Sequence, residues 1–415
     1  MEIARDAISR LARAAPAASR YNRVLLGLIA PPVAVMLAFT LWQDPLEGDI
    51  TRVGGFTENN YGWNAPQARF VPPLAARSYD RPYDIVILGD SYSTPTGGGQ
   101  TDPGAYWPNH VAQRTGLSVT SIPIWEMTIR DLVEHPIFKA SPPRLVIVEH
   151  VERYFVRNNT VETARWLWPG IDGCPGGEER ARRPLLEAPR PLRAAPVPWT
   201  RDTAIRFDFG QAVDVIWKSF WRDGLGINIT RVLALALDTD ALFSSRVSDR
   251  ILVYDDEFLP ARWTNAEIDA ALCNLRAAQA RVRSNGKTAF AFLAAPNKLS
   301  AYADHLADPS HRGISRLSRI YADPHLSQIR VLDRLRAAIR KGERDIYMPN
   351  DTHWGTPGHR IVADAVVAFL TRPDPDDIGH IGGSDAGGRA TGRACSGHRR
   401  PNPGWSSSGD RHNPA

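Results

Sequence analysis

Residues 84–92 read Asp-Ile-Val-Ile-Leu-Gly-Asp-Ser-Tyr (DIVILGDSY), and this stretch decides the fold class. Four consecutive apolar residues form a run of the kind that a parallel sheet buries on both faces. The run stops at Gly89, where the backbone can turn sharply, and delivers Asp90, Ser91 and Tyr92 to a strand's carboxyl end. Open α/β sheets bind ligands at that end. Working outward, residues 118–124 (SVTSIPI), 144–148 (RLVIV) and 288–295 (TAFAFLAA) repeat the strand pattern, and 329–332 (IRVL) is a further candidate. Helical spacing over 126–138, 265–284 and 357–370 separates or follows them, the last opened by Thr356 as N-cap with Pro357 in the first turn. This alternation predicts an α/β fold with a central parallel sheet.

Composition narrows the class. The 415 residues are 43% hydrophobic and 23% charged, with a formal net charge of +5, which excludes a wholly disordered or fibrous chain. Outside the N-terminus basic residues are dispersed rather than gathered on one helix, so a nucleic-acid partner is not expected. Cys174, Cys273 and Cys395 lack metal-site spacing, and no metal or other cofactor is expected. A Cys174–Cys273 disulfide is one reading in an oxidising compartment.

Residues 24–42 (VLLGLIAPPVAVMLAFTLW) carry no charge and span about 28 Å as a helix, enough to cross a bilayer core. Arg5, Arg10, Arg13, Arg20 and Arg23 precede them, so the positive-inside tendency leaves 1–23 in the cytoplasm and sends the remainder across. A cleaved signal peptide or an organellar targeting helix are competing readings, but no A-x-A-like site follows the run. The organisation expected is a cytoplasmic basic segment (1–23), an anchor (24–42), a linker (43–78), a catalytic domain (79–371) with an insertion at about 158–263, and a disordered tail (373–415) poor in large apolar residues.

Serine needs a base within hydrogen-bond reach to act as a nucleophile near neutral pH. Residues 350–354 (NDTHW) supply one just before the last helix. Residues two apart in an extended loop project to the same side, which lets Asp351 orient His353 while the other ring nitrogen faces Ser91. Triads assemble in space, so the long sequence separation is no obstacle. The glycine run from Gly97 lacks the lysine of a phosphate loop and reads as a flexible edge of the site. Trp354 and Trp107 are the tryptophans expected to meet ligand.

The GDSY and DTHW stretches on this layout resemble SGNH (GDSL-type) hydrolases, which implies a three-layer α/β/α sandwich around the parallel sheet. Residues 145–154 (LVIVEHVERY) and 294–298 (AAPNK) with Tyr302 are similar, more narrowly, to stretches of the periplasmic alginate and exopolysaccharide O-acetyltransferases. In those enzymes the DxHW stretch precedes GDS; here it follows, as in ordinary SGNH hydrolases. By motif, the resemblance implies Ser91 as nucleophile, His353 as base and Asp351 as its orienting carboxylate. Tyr154 would stand by the oxyanion or acceptor. Arg130, Gly97, Lys298 and Trp354 are further oxyanion or substrate candidates. The oxyanion glycine and asparagine of SGNH enzymes have no evident counterpart. The function implied is an O-acetyltransferase anchored in the inner (cytoplasmic) membrane. Its acceptor would be a periplasmic polysaccharide, and its acetyl donor would be delivered by a membrane O-acyltransferase. An esterase or deacetylase using the same triad, and a non-catalytic assembly scaffold, remain the alternatives.

Overall fold

The computed structural model describes residues 2–44, 46–95, 102–160, 185–203 and 208–371. Gly97 and its neighbouring glycines, Cys174, Trp166, Trp168 and the tail from 373 lie outside the described residues. Cys273 is disulfide-bonded; its partner also lies outside them.

Four strands form the central sheet: β1 (Ile85–Gly89), β2 (Val119–Pro123), β3 (Leu145–Val151) and β4 (Ala289–Ala295). Their order is β2-β1-β3-β4, all parallel. The central parallel sheet is therefore the one expected. The stretch 329–332 does not extend the sheet as a strand. The residue before it makes one parallel bridge, Gln328 opposite Phe292, and the chain then enters the helix Leu332–Arg340.

Side chains along a strand alternate between faces, and the two cores divide accordingly. Ile85, Ile87, Leu145, Ile147, Ala291 and Leu293 pack with Val111, Val362 and Val366, from the helices Trp107–Thr115 and Thr356–Thr371. Val86, Leu88, Val146, Val148, Phe290 and Phe292 pack on the opposite face with Ile268, Leu272 and Leu275 of the helix Asn265–Arg283. Because both faces are covered, residues 85–88, 145–148 and 289–295 read as unbroken apolar runs. Helices on each side make three layers. Residues 126–138 form two short helices, Ile129–Glu134 and Pro136–Ala140. Pro136 cannot continue a preceding helix, which explains the break.

Three outlying segments complete the domain. Within the insertion, Val232–Ala236 and Arg250–Tyr254 pair as an antiparallel ribbon. The helix Phe209–Ser219 precedes it. The stretch read as a linker is structured: it contains the helices Asp49–Gly54 and Glu58–Tyr61 and the strand Gln67–Arg69, which pairs with Val197–Trp199. N-terminal to it, one helix runs over Glu2–Trp42, and its Ser19–Leu41 portion is long and apolar enough to cross a membrane.

The register aligns Gly89 with Pro123, and Leu88 with Val148, so the strands deliver their carboxyl ends to one rim. Gly89 is obligatory there. A Cβ on it would stand 2.0 Å from Ser93 Oγ and 2.7 Å from Glu149 Oε2. Both atoms are held by other bonds, so neither can withdraw without loss. Gly89→Ala should lower stability by about 2 kcal/mol or more, read as a shifted urea midpoint at unchanged slope.

Candidate active site

The turn after β1 is organised by Asp90. Its Oδ1 accepts the Tyr92 N–H at 3.0 Å and its Oδ2 accepts the Val151 N–H at 2.7 Å. Its own N–H donates to Glu149 Oε2 at 3.0 Å, where Ser93 Oγ also donates at 3.0 Å. Glu149 is completely buried. Burial, then the neighbouring Asp90 charge, push its carboxyl well above the usual carboxylate range, which favours a neutral acid beside the Asp90 carboxylate. The Ser91 side chain is left half-buried at the apex of this turn. Among the described residues, neither the Ser91 N–H nor its hydroxyl makes a hydrogen bond.

The second half of the site is the loop before the Thr356–Thr371 helix. Met348 N–H donates to the His353 carbonyl at 3.0 Å and Tyr347 bridges Trp354, closing the loop on itself. Inside it, Asp351 Oδ1 accepts His353 Nδ1–H at 2.5 Å and the His353 N–H at 2.9 Å. His353 Nε2 is buried without a partner. The Lys298 ammonium, fully buried, donates to the carbonyls of Met348 (2.7 Å), Pro349 (3.1 Å) and Asp351 (3.1 Å). Burial pushes this lysine down to about 8, while Glu257, Asp351, Asp49 and Asp345 act upward.

The former linker braces the same loop from outside. Asp49 N–H donates to Asp351 Oδ2 at 3.1 Å, and Asp49 Oδ1 accepts the Thr352 N–H at 2.8 Å. Glu58 Oε2 accepts Asn350 Nδ2–H at 2.8 Å. Gly48 passes so close that a Cβ there would meet the Asn350 carbonyl oxygen at 1.9 Å.

Tyr92 joins the two halves. Its hydroxyl donates to the Thr352 carbonyl at 2.7 Å, and its ring lies 5.0 Å from the His353 ring and 4.8 Å from Trp354, centroid to centroid. The residue following Ser91 is thus packed on the imidazole. Among the described residues no hydrogen bond joins Ser91 to His353.

A cleft of about 330 Å³ opens beside Ser91, between the ends of β1, β2 and β3. Trp125, His150, Arg153, Tyr154 and Arg157 contribute to its walls. Tyr154, expected near the acceptor, is in place; its hydroxyl donates to Asp256 Oδ2 at 2.6 Å, and the Arg157 guanidinium stands 4.0 Å over its ring. Arg153 does not pair with Glu152. It lies 3.4 Å from Asp256 Oδ1, whereas Glu152 accepts from the Asn297 N–H and Ser315 Oγ. The Arg153 Nη1 is buried without a hydrogen-bond partner. His150 is buried with Nδ1 3.1 Å from Asn158 Nδ2, and burial pushes it down to about 4.

Other expected contacts fall elsewhere. Lys298 and Trp354 are buried behind the cleft rather than lining it, because their polar and apolar surfaces are consumed by the loop and the core. Trp107 is a core residue for the same reason. Arg130 sits on the surface, where its ion pair with Glu134 one helical turn away spans 3.7 Å. Gly97 lies outside the described residues. Asp49 and Tyr92 were not singled out as functional from sequence. Asp49 stood in a stretch read as linker, and Tyr92 in a motif where the preceding serine draws attention.

Residues 248–384 match the family model for the SGNH hydrolase-like domain of acetyltransferase AlgX. Over that stretch the chain is similar to an SGNH-like domain of the AlgX type. The matched stretch, roughly a third of the chain, contains Lys298, Asp351 and His353 but stops short of Ser91. No curated protein and no solved structure matched the chain.

Two features of this SGNH-like domain are measurable without knowing a substrate. Burial disfavours charge on His353, but the Asp351 charge and hydrogen bond outweigh it, so the imidazole is raised above its ordinary 6.5. Asp351 is shifted the opposite way: burial opposes ionisation, and the His353 charge and hydrogen bonds overcome it. The His353 contribution to stability is therefore complete below about 6.5 and is lost as pH rises through the higher folded value. By NMR titration, His353 should titrate above 6.5, and Asp351→Asn should bring it below. Lys298→Met would leave three carbonyls without their buried donor. A loss of about 3 kcal/mol is expected, seen by chemical denaturation.

Proposed function

We propose that the chain is a membrane-anchored O-acetyltransferase that modifies an extracytoplasmic polysaccharide through an acetyl-enzyme on Ser91. One observation carries this reading. A buried Asp351–His353 pair with a spare imidazole nitrogen is packed, through Tyr92, against the turn that presents Ser91 to a cleft. Catalytic hydrogen bonds often shorten only when substrate is bound, so a Ser91–His353 bond belongs to the working complex.

In the first half-reaction, Ser91 Oγ attacks the acetyl carbonyl while its proton moves to His353 Nε2. The tetrahedral intermediate collapses, the donor's oxygen leaves with that proton, and an acetyl ester remains on Ser91. In the second, His353 takes the proton of a sugar hydroxyl, whose oxygen attacks the ester. Collapse returns the proton to Ser91 Oγ and releases the acetylated sugar. Asp351 holds the imidazole tautomer and stabilises the imidazolium. The unpaired Ser91 N–H is a donor for the developing oxyanion. Arg153 follows β3 directly, and its buried guanidinium adds positive charge on the same side. No metal or organic cofactor enters these steps.

The N-terminal apolar helix would serve as a single-pass anchor in the inner membrane, placing the domain in the periplasm. Acetyl groups activated in the cytoplasm would then need a membrane O-acyltransferase to hand them across. Tyr154 and the aromatic wall of the cleft would receive the polysaccharide.

Ser91→Ala should cut turnover of an acetyl ester by about 10⁴-fold or more while leaving the circular dichroism unchanged. Unchanged turnover would reject the nucleophile. With acetyl ester and sugar oligomers together, mass spectrometry should find acetylated sugar; release of acetate alone would assign a hydrolase. The acid limb of kcat/KM should lie above pH 6.5, because the base must be neutral to act and its pKa is raised.

A further inference from the structure

The helix Phe209–Ser219 is amphipathic in the wrong sense for a helix facing water. A surface helix normally turns its polar face outward. Here Ala212 and Val215 are buried against the domain, while Phe209, Val213, Trp217 and Phe220 are exposed. These four positions fall at intervals of four, four and three, so they share one face. The stripe continues beyond the π-helical turn Phe220–Gly224 through exposed Leu225 and Ile227. Its cations face the domain: Lys218 Nζ donates to the Arg52 carbonyl at 3.2 Å, and Arg222 Nη1 to the Gly54 carbonyl at 2.8 Å. Arg222 also lies 3.8 Å over the Phe56 ring.

The location of this stripe identifies what covers it. The helix Phe209–Ser219 packs against the N-terminal helix Glu2–Trp42. Contact continues where that apolar helix ends, for Gln211 Nε2 donates to the Asp44 carbonyl at 3.5 Å, and Arg201 pairs with the Asp44 carboxylate at 2.8 Å. Leu26, Leu28, Val35 and Leu41 of the N-terminal helix are exposed in the same way. The two apolar surfaces therefore belong to helices that are in contact, near the point where the chain leaves its membrane-length helix.

We infer that the Phe209–Ser219 helix and the turn after it lie in the lipid interface of the membrane that holds the N-terminal helix. Tryptophan and phenylalanine favour that zone, where an apolar body is buried and a polar edge stays hydrated. A single anchor leaves a domain free to swivel; an anchor joined to an interfacial helix fixes its tilt. The consequence is a fixed aspect of the Ser91 cleft toward the membrane surface. This inference rests on the anchor reading given above.

The test uses the full chain in its own cell membranes, with a photoreactive benzophenone replacing Trp217, Phe220 or, as a control, exposed Lys287. Alkaline carbonate extraction reports the anchor separately. Retention in the membrane, with lipid adducts from 217 and 220 and none from 287, is expected. Adding Phe220→Glu to the 217-labelled chain should abolish most of its lipid adduct. A chain that stays in the membrane but gives no lipid adducts would overturn the docking and leave the anchor intact. So would adducts that map instead to another protein or to residues 161–184 of this chain. Release of the chain by carbonate would overturn both.

Discussion

The site depends on a buried ammonium group. Lys298 follows β4 and spends its three protons on the carbonyls of Met348, Pro349 and Asp351, the loop that holds the Asp351–His353 pair. Loops need partners for their backbone polar groups when they are buried, and an isolated buried charge is costly. Each requirement meets the other here. The electrostatic surroundings, with Glu257, Asp351, Asp49 and Asp345 nearby, keep the lysine charged despite burial. An irregular segment thereby gains the rigidity of a helix or strand, which a hydrogen-bonded imidazole needs.

A second constraint is the division of labour between carboxyl groups at the rim. Asp90 accepts two backbone N–H groups, Glu149 accepts from Asp90 and Ser93, and Asp351 serves the imidazole. Glu149 is driven toward neutrality while Asp351 is driven toward ionisation. Burial pushes both upward; for Glu149 the Asp90 charge adds to it, and for Asp351 the His353 charge and hydrogen bonds overcome it. Beside another carboxylate, the cheaper state is protonated, and beside an imidazole it is charged. Two buried carboxyl groups are thus pushed in opposite directions by what each one faces.

The segment between the apolar helix and β1 links that helix to the site. Asp49 and Glu58 reach into the His353 loop, and Asp44 reaches Arg201 beside the Phe209–Ser219 helix. The chain leaving the N-terminal helix consequently touches both the His353 loop and, through Gln211, the Phe209–Ser219 helix. A change in the height or tilt of the domain would be felt first through this segment.

Strand runs such as 85–88 and 145–148 were legible because burial on both faces demands unbroken apolar residues, and the GDSY and DTHW stretches because the chemistry they suggest needs few residue types at close spacing. Position in the folded molecule was not legible. Nothing local tells that Lys298 faces carbonyls rather than substrate, that Trp354 and Trp107 are core, or that residues read as a linker brace a loop some three hundred positions away. Long-range partners are chosen by packing, which no short window of residues contains. Pattern and composition were enough for the α/β class, the apolar N-terminal helix and the pairing of Asp351 with His353. The joining of that pair to the Ser91 turn through Tyr92, the cleft and the outward apolar stripe came from the assembled fold, because each depends on surfaces that meet only after distant segments have packed together.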